Sequence, residues 1–196
     1  MKKVVLLMSH LGSGSDALYA AMDAHPSIQG YAGDSTYDTP LRLITLTEKK
    51  HKLNNASRIY MDHILYNHQY CLKPDPMVKM VFLVREPEAS IDYMINMKLL
   101  RRQEAKRYYL YRIRRLCELA KRNTGSVFLK YSDIRDGKGM DIISGHLGLK
   151  DCLPPLSDLS TPSGKNCLSL HEYESLGDSY EKYLYYADKV GSLTVK

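Results

Sequence analysis

The four cysteines, Cys71, Cys117, Cys152 and Cys167, form no CxxC pair. Neither a thiolate zinc site nor a disulfide framework is indicated, and a reducing compartment, the cytoplasm, is the expected location. No apolar run approaches the ~18 residues that a spanning helix needs, so no membrane segment is expected. The start, Met1-Lys2-Lys3 followed by Val4 to Met8, has the look of a secretory signal. Ser9-His10 ends the apolar run before an h-region of usual length, so it reads instead as a first buried strand. Internal repeats and low-complexity tracts are missing, and so are the nucleotide signatures GxxxxGK[ST] and GxGxxG. Negative charge is also in short supply. With 28 Lys and Arg against 22 Asp and Glu, a net charge of +6 and a pI near 9.0, the chain suits an anionic ligand or partner.

What is present is enough apolar material, 44% of 196 residues, for one domain with a substantial core and too little chain for two ordinary ones. The expectation is a single three-layer α/β/α domain over residues 1–196, with a central, mainly parallel sheet and a P-loop-like first unit. That unit is a strand over about 3–8, a loop over 9–14 and a helix over about 15–25, closed by His25-Pro26. Helices are expected at 41–50 and at 55–68, the second because Tyr60, Ile64 and His68 have helical spacing. Residues 77–84 are too apolar for an edge and read as a central parallel strand ending at Arg85-Glu86-Pro87. Pro87 opens a helical pattern that runs to about Arg122 with one break. A short strand at 127–131, a loop through Gly137 and Gly139, a helix at 140–147 and a tyrosine-rich terminal helix at 174–188 complete the pattern.

Two places carry chemistry. In the first, "SHLGSGSDALYAAMDAHP", Gly12 and Gly14 allow close approach of the backbone, while Ser13 and Ser15 add hydroxyls beside the free N–H groups of a helix start. Such a loop favours an anion, helped by the helix dipole. An ordinary strand-to-helix turn capped by Ser15 or Asp16 accounts for the same residues. The second is Val81-Phe-Leu-Val-Arg-Glu-Pro87 followed by Glu88-Ala-Ser90. An arginine at the carboxyl end of a central parallel strand faces the crevice where open α/β sheets bind ligands, and its fork can bond two oxygens of a fixed phosphate.

With both elements in order, the chain resembles the sulfotransferases that use 3′-phosphoadenosine 5′-phosphosulfate, PAPS. In that family a strand-loop-helix written PKxGTT or PRSGST holds the 5′-phosphosulfate, and a strand ending in RDP with a downstream serine holds the 3′-phosphate. Leu11 to Asp16 resembles the first element and Arg85-Glu86-Pro87 the second. Cys71-Leu-Lys73-Pro74 is similar to the lysine-proline segment before the RDP strand. Val127-Phe-Leu-Lys-Tyr131-Ser-Asp133-Ile134 is similar to the LxYEDL strand, and His146-Leu-Gly-Leu149 to FLGL. The chain departs from the pattern where Gly12 replaces the loop's basic residue, where Asp16 stands for Thr or Ser, and where Tyr93 stands for the serine eight residues after Arg85. Ser90, one turn earlier, shares a helix face with Tyr93, so either hydroxyl can serve.

The resemblance implies PAPS as co-substrate, PAP as product, no obligatory metal, and transfer of a sulfuryl group to a hydroxyl or amine of a small-molecule or glycan acceptor. It implies nucleotide contacts from Leu11, Gly12, Ser13, Gly14, Ser15, Asp16, Arg85, Ser90, Tyr93 and, after the irregular stretch, Lys165. Lys73 is the candidate replacement for the missing loop cation. His10, at the lip of the loop, ranks ahead of His63 as the base, since a histidine's ordinary pKa suits that work. Tyr37, Arg42 and Asp62 are candidate walls of the acceptor pocket.

Ten Lys and Arg residues lie between Lys98 and Arg122, interleaved with Tyr108, Tyr109 and Tyr111. Phosphate contact and base stacking would use such a run. An amphipathic helix with a solvated basic face, packing on Leu110, Ile113, Leu116 and Cys117, explains it without nucleic acid and is preferred, because no nucleic-acid motif accompanies the charge. Guidance of an acidic acceptor is a third use. A small-molecule kinase on a related fold and a basic nucleic-acid module remain the rival functions.

Overall fold

The computed structural model describes residues 2–31, 36–51, 58–69, 75–123, 125–154, 156 and 176–185. Its elements in chain order are β1 (Lys3–Met8), α1 (Ser15–Asp23), β2 (Ile28–Gly30), α2 (Pro40–His51), β3 (Ile59–Ile64), β4 (Val78–Val84), α3 (Pro87–Asn96), α4 (Arg102–Arg122), β5 (Val127–Lys130), α5 (Tyr131–Arg135) and α6 (Lys138–Leu147). A last helix, α7, spans 176–185.

The strands form one sheet in the order β2-β3-β1-β4-β5, and every pairing is parallel. β1 lies in the middle, which is why Val4 to Met8 are all buried without alternation: both faces are covered. Leu6, Met8, Tyr60, Phe82 and Val84 face a core shared with α2, α3, α4 and α7. Val5, Leu7, Met61, Val81 and Leu83 face a second core shared with α1, α5 and α6. This is the three-layer arrangement expected from the sequence.

Several elements differ from the sequence reading. The helix expected over 55–68 is not what the described part of that stretch, from residue 58, forms: Ile59–Ile64 is strand β3, paired to β1 on one side and β2 on the other. Its helical spacing is coincidental, because a strand buried on both faces loses the alternation that would reveal it. β2 is three residues long and carries too little pattern to be read. The stretch after β5 is a short helix, α5, started by Lys130 N–H donating to Asp133 Oδ2 (2.7 Å). The break in the long basic helix falls between Asn96 and Arg102, where Lys98 takes a positive φ of 55° and Glu104 Oε2 accepts from Arg101 N–H (2.9 Å) to start α4.

Candidate functional site

The chain runs from β1 to one edge of the sheet and back through β3, then crosses β1 to β4. The carboxyl ends of β1 and β4 therefore flank the switch point, where an open sheet leaves a crevice. The Ser9–Gly14 loop leaves one end and Arg85 leaves the other.

The two elements, far apart in sequence, pack directly together. Gly12 sits against the first turns of α3: a Cβ on it would lie 2.9 Å from Ser90 O and 3.2 Å from the Tyr93 ring. With φ at +78°, the position is reserved for glycine on both counts. Gly14, at φ +82°, is pressed against Tyr131, whose ring would stand 2.7 Å from an added Cβ. The first intrahelical bond of α1 is Leu18 N–H to Gly14 O (3.3 Å), so the N–H groups of Ser15, Asp16 and Ala17 point out of the helix start.

Arg85 is buried. Its Nη1 donates to Gly12 O (3.4 Å), and its guanidinium lies 4.2 Å from the centroid of the Tyr131 ring. Arg85 Nε and Ser13 Oγ are buried without a hydrogen-bond partner. Glu86 Oε1 stands 3.7 Å from that Nε as an ion pair, and two polar groups left without a hydrogen bond beside a glycine cradle fit an anionic group, since such groups are costly to leave unsatisfied. Among the described residues no cluster of three His, Cys, Asp or Glu is arranged to hold a metal ion.

His10 is wholly buried and both ring nitrogens are engaged. Its Nε2 accepts from Arg85 N–H (3.0 Å), which leaves Nδ1–H to donate to Leu11 O (2.9 Å). Burial, with Arg112 and Arg85 adding, pushes its pKa down to about 4. The ring is thus a neutral spacer between the β1 and β4 ends, with no nitrogen left for an acceptor's proton.

His63, on β3 and not on a helix, is placed differently. Its Nε2 lies 2.9 Å from Ser9 Oγ and 2.9 Å from Ser15 Oγ, its Nδ1 lies 3.7 Å from Asp16 Oδ1, and its ring stacks on Tyr19. Burial lowers its pKa to about 4, Asp16 opposes the shift, and Arg112 adds to it. Next to it, Asp62 accepts from Tyr37 OH (2.5 Å) and from His63 N–H (2.8 Å), and burial raises its carboxyl to about 6. Two of the expected pocket walls, Tyr37 and Asp62, are therefore in contact, and Arg42 is exposed on α2.

The other expected contacts divide. Leu11 N–H is taken by Tyr108 OH (3.0 Å), and Ser90 is buried with its hydroxyl donating to Glu86 O (2.9 Å). Tyr93 is the half-exposed member of the Ser90–Tyr93 pair. Lys73 and Lys165, and the Cys71-to-Pro74 segment, lie outside the described residues.

The supports of the loop come from α4 and were not legible as such. Arg112 is buried, donating through Nε to Ser9 O (2.7 Å), through Nη1 to Asn67 Oδ1 (2.9 Å) and through Nη2 to Ile64 O. Tyr108 OH donates to Leu65 O (2.8 Å) and Tyr109 OH to Arg85 O (2.7 Å). Of the three interleaved tyrosines, Tyr111 alone is exposed, at 70%. The usable signal was the buried stripe Ala105, Tyr109, Arg112, Leu116, Leu119, which passes through the arginine at helical spacing.

An all-parallel α/β sheet with a glycine-bearing loop and a buried arginine side by side at its switch point defines the class. The particular fold is that of the sulfotransferases. The mouse sulfotransferase SULT7A1 in complex with PAP superposes with a TM-score of 0.58 over 98% of this chain and 88% of that one, at 15% identity. A sulfotransferase from Alicyclobacillus acidocaldarius superposes with a TM-score of 0.56 over 97% and 96%, at 12% identity. No protein-family model and no curated protein matches the sequence. The likeness read from the short motifs is thus met at the level of the fold. No described helix is long and apolar enough to cross a membrane.

Proposed function

We propose that the protein transfers a sulfuryl group from PAPS to a hydroxyl or amine of a small-molecule or glycan acceptor. One observation carries the reading: the Gly12–Asp16 cradle and Arg85, on neighbouring strand ends, close on each other and leave Ser13 Oγ and Arg85 Nε without hydrogen-bond partners, the Nε having only a 3.7 Å ion pair to the half-exposed Glu86. PAPS supplies the sulfuryl group and a nucleotide phosphate as leaving group.

The chain's own residues do the rest. The helix start and Ser13 bind phosphate oxygens of the 5′ end, and Arg85 with Tyr93 binds the 3′-phosphate. Such chemistry asks the protein for alignment and for stabilisation of charge spread over oxygens. His63, not His10, takes the acceptor's proton, because both His10 nitrogens are tied to backbone groups within the fold, whereas His63 Nε2 faces the hydroxyls of Ser9 and Ser15, which can turn and exchange a proton. The anionic nucleotide strengthens His63 as a base by favouring its charged form. Asp62 and Tyr37 form part of the acceptor wall.

Calorimetry with 3′,5′-adenosine bisphosphate tests the reading. The wild type binds it more tightly than ATP, and Arg85→Ala lowers the affinity at least ~10-fold, the loss of one bidentate charge-assisted contact. Absence of binding by the folded wild type overturns the proposal, and preference for ATP turns it toward a kinase.

A further inference from the structure

Asp16 replaces the Thr or Ser of the resembling motif and brings a carboxylate to a loop meant for phosphates. The structure shows where that carboxylate goes. The side chain is 84% exposed and leans to His63, Oδ1 standing 3.7 Å from Nδ1, while the opposite nitrogen, Nε2, is within 2.9 Å of Ser15 Oγ. The order is hydroxyl, imidazole, carboxylate, with the hydroxyl at the helix start that forms the cradle. Tyr19 stacks on the ring at 5.6 Å and 20°, which fixes its plane.

Charged and polar groups face this ring from four elements. From α1 come Ser15, Asp16 and Tyr19; from the end of β1, Ser9; from β3, Asp62, which accepts the His63 N–H; and from α4, Arg112. Asp16 is the one whose charge favours a proton on the ring.

We propose that Asp16, His63 and Ser15 form a proton relay for the transfer step, in which Asp16 holds the Nδ1–H tautomer and Ser15 passes the acceptor's proton to Nε2. The inference rests on the sulfuryl-transfer reading. As the acceptor oxygen forms its bond to sulfur and the bond from sulfur to the phosphate oxygen breaks, the acceptor's proton moves to Ser15 Oγ and the serine's own proton moves to Nε2. The imidazolium so formed faces Asp16 through Nδ1–H. Asp16 is a positioning residue: it acts through His63 and does not touch the reacting atoms.

The test is nitrogen-15 NMR of the His63 side chain at pH 7 in the ligand-free protein, alongside kinetics of Asp16→Asn. The wild type shows a protonated Nδ1 and a bare Nε2; Asp16→Asn shifts the ring toward the other tautomer. Its kcat falls at least ~10-fold, the lower range of acid–base effects, while binding of 3′,5′-adenosine bisphosphate is unchanged or tighter. Asp16→Glu restores the wild-type tautomer. A ring protonated on Nε2 in the wild type, or an unchanged tautomer and kcat in Asp16→Asn, overturns the relay. A wild type that fails to bind the nucleotide overturns the transfer reading instead, and the tautomer still decides the pairing.

Discussion

Lowering the pH should destabilise this protein through His10. In the fold its pKa is pushed from an ordinary 6.5 to about 4, mainly by burial. A histidine so depressed contributes stability that is full above pH 6.5 and is lost as the pH falls toward 4, because the unfolded chain takes up the proton first. At pH 5 the unfolded ring is almost wholly protonated and the folded ring about a tenth so, which costs ~2 kcal/mol. His63 and His146, each also lowered to about 4 by burial, act in the same direction, while Asp62, raised to about 6, opposes them. Comparison with His10→Gln isolates the contribution of His10. The glutamine carbonyl can accept the Arg85 N–H but does not titrate. At pH 7.5 the variant should be less stable by ~1–3 kcal/mol, having lost the Leu11 contact and the edge-on packing against Tyr109. Between pH 7.5 and pH 5 that gap should narrow by ~2 kcal/mol in urea unfolding. A gap of the same size at both pH values would mean that His10 protonates as readily folded as unfolded. It would return that ring to candidacy as the base.

Arg112→Met removes the anchor from Ser9 O and Ile64 O and should lower stability by ~2–4 kcal/mol, with thermal unfolding as the measure. Arg114→Met, two residues on and so on the opposite, exposed face of the same helix, should change stability by less than ~0.5 kcal/mol. Gly14→Ala meets both a positive φ and the Tyr131 ring, so it should cost ~1–3 kcal/mol and weaken 3′,5′-adenosine bisphosphate binding in the same titration.

The sequence made the central strands legible because burial on both faces demands unbroken apolar runs, as in Val4 to Met8 and Met80 to Val84. It also marked the two elements that meet at the strand ends, since Gly12, Gly14 and Arg85 occupy positions where backbone freedom and a fixed charge have few structural substitutes. β3 escaped because Ile59–Ile64 takes its conformation from its neighbours on both sides rather than from its own pattern. The engagement of the His10 ring escaped for a related reason. His10 was favoured by position along the chain, yet availability depends on which hydrogen bonds the ring makes, and those come from Arg85, 75 residues on.

What the sequence determined by itself was the class of sheet, the order of its main elements and the place of the two glycine- and arginine-bearing strand ends, because these follow from local periodicity and backbone permissiveness. Tertiary structure alone decided that Gly12 and Arg85 meet, that Arg112 is a buried brace within a basic helix, and that His63 stands between Ser15 and Asp16. Those relations join residues brought together by parallel pairing across β3, β1 and β4, and separation along the chain carries no trace of them.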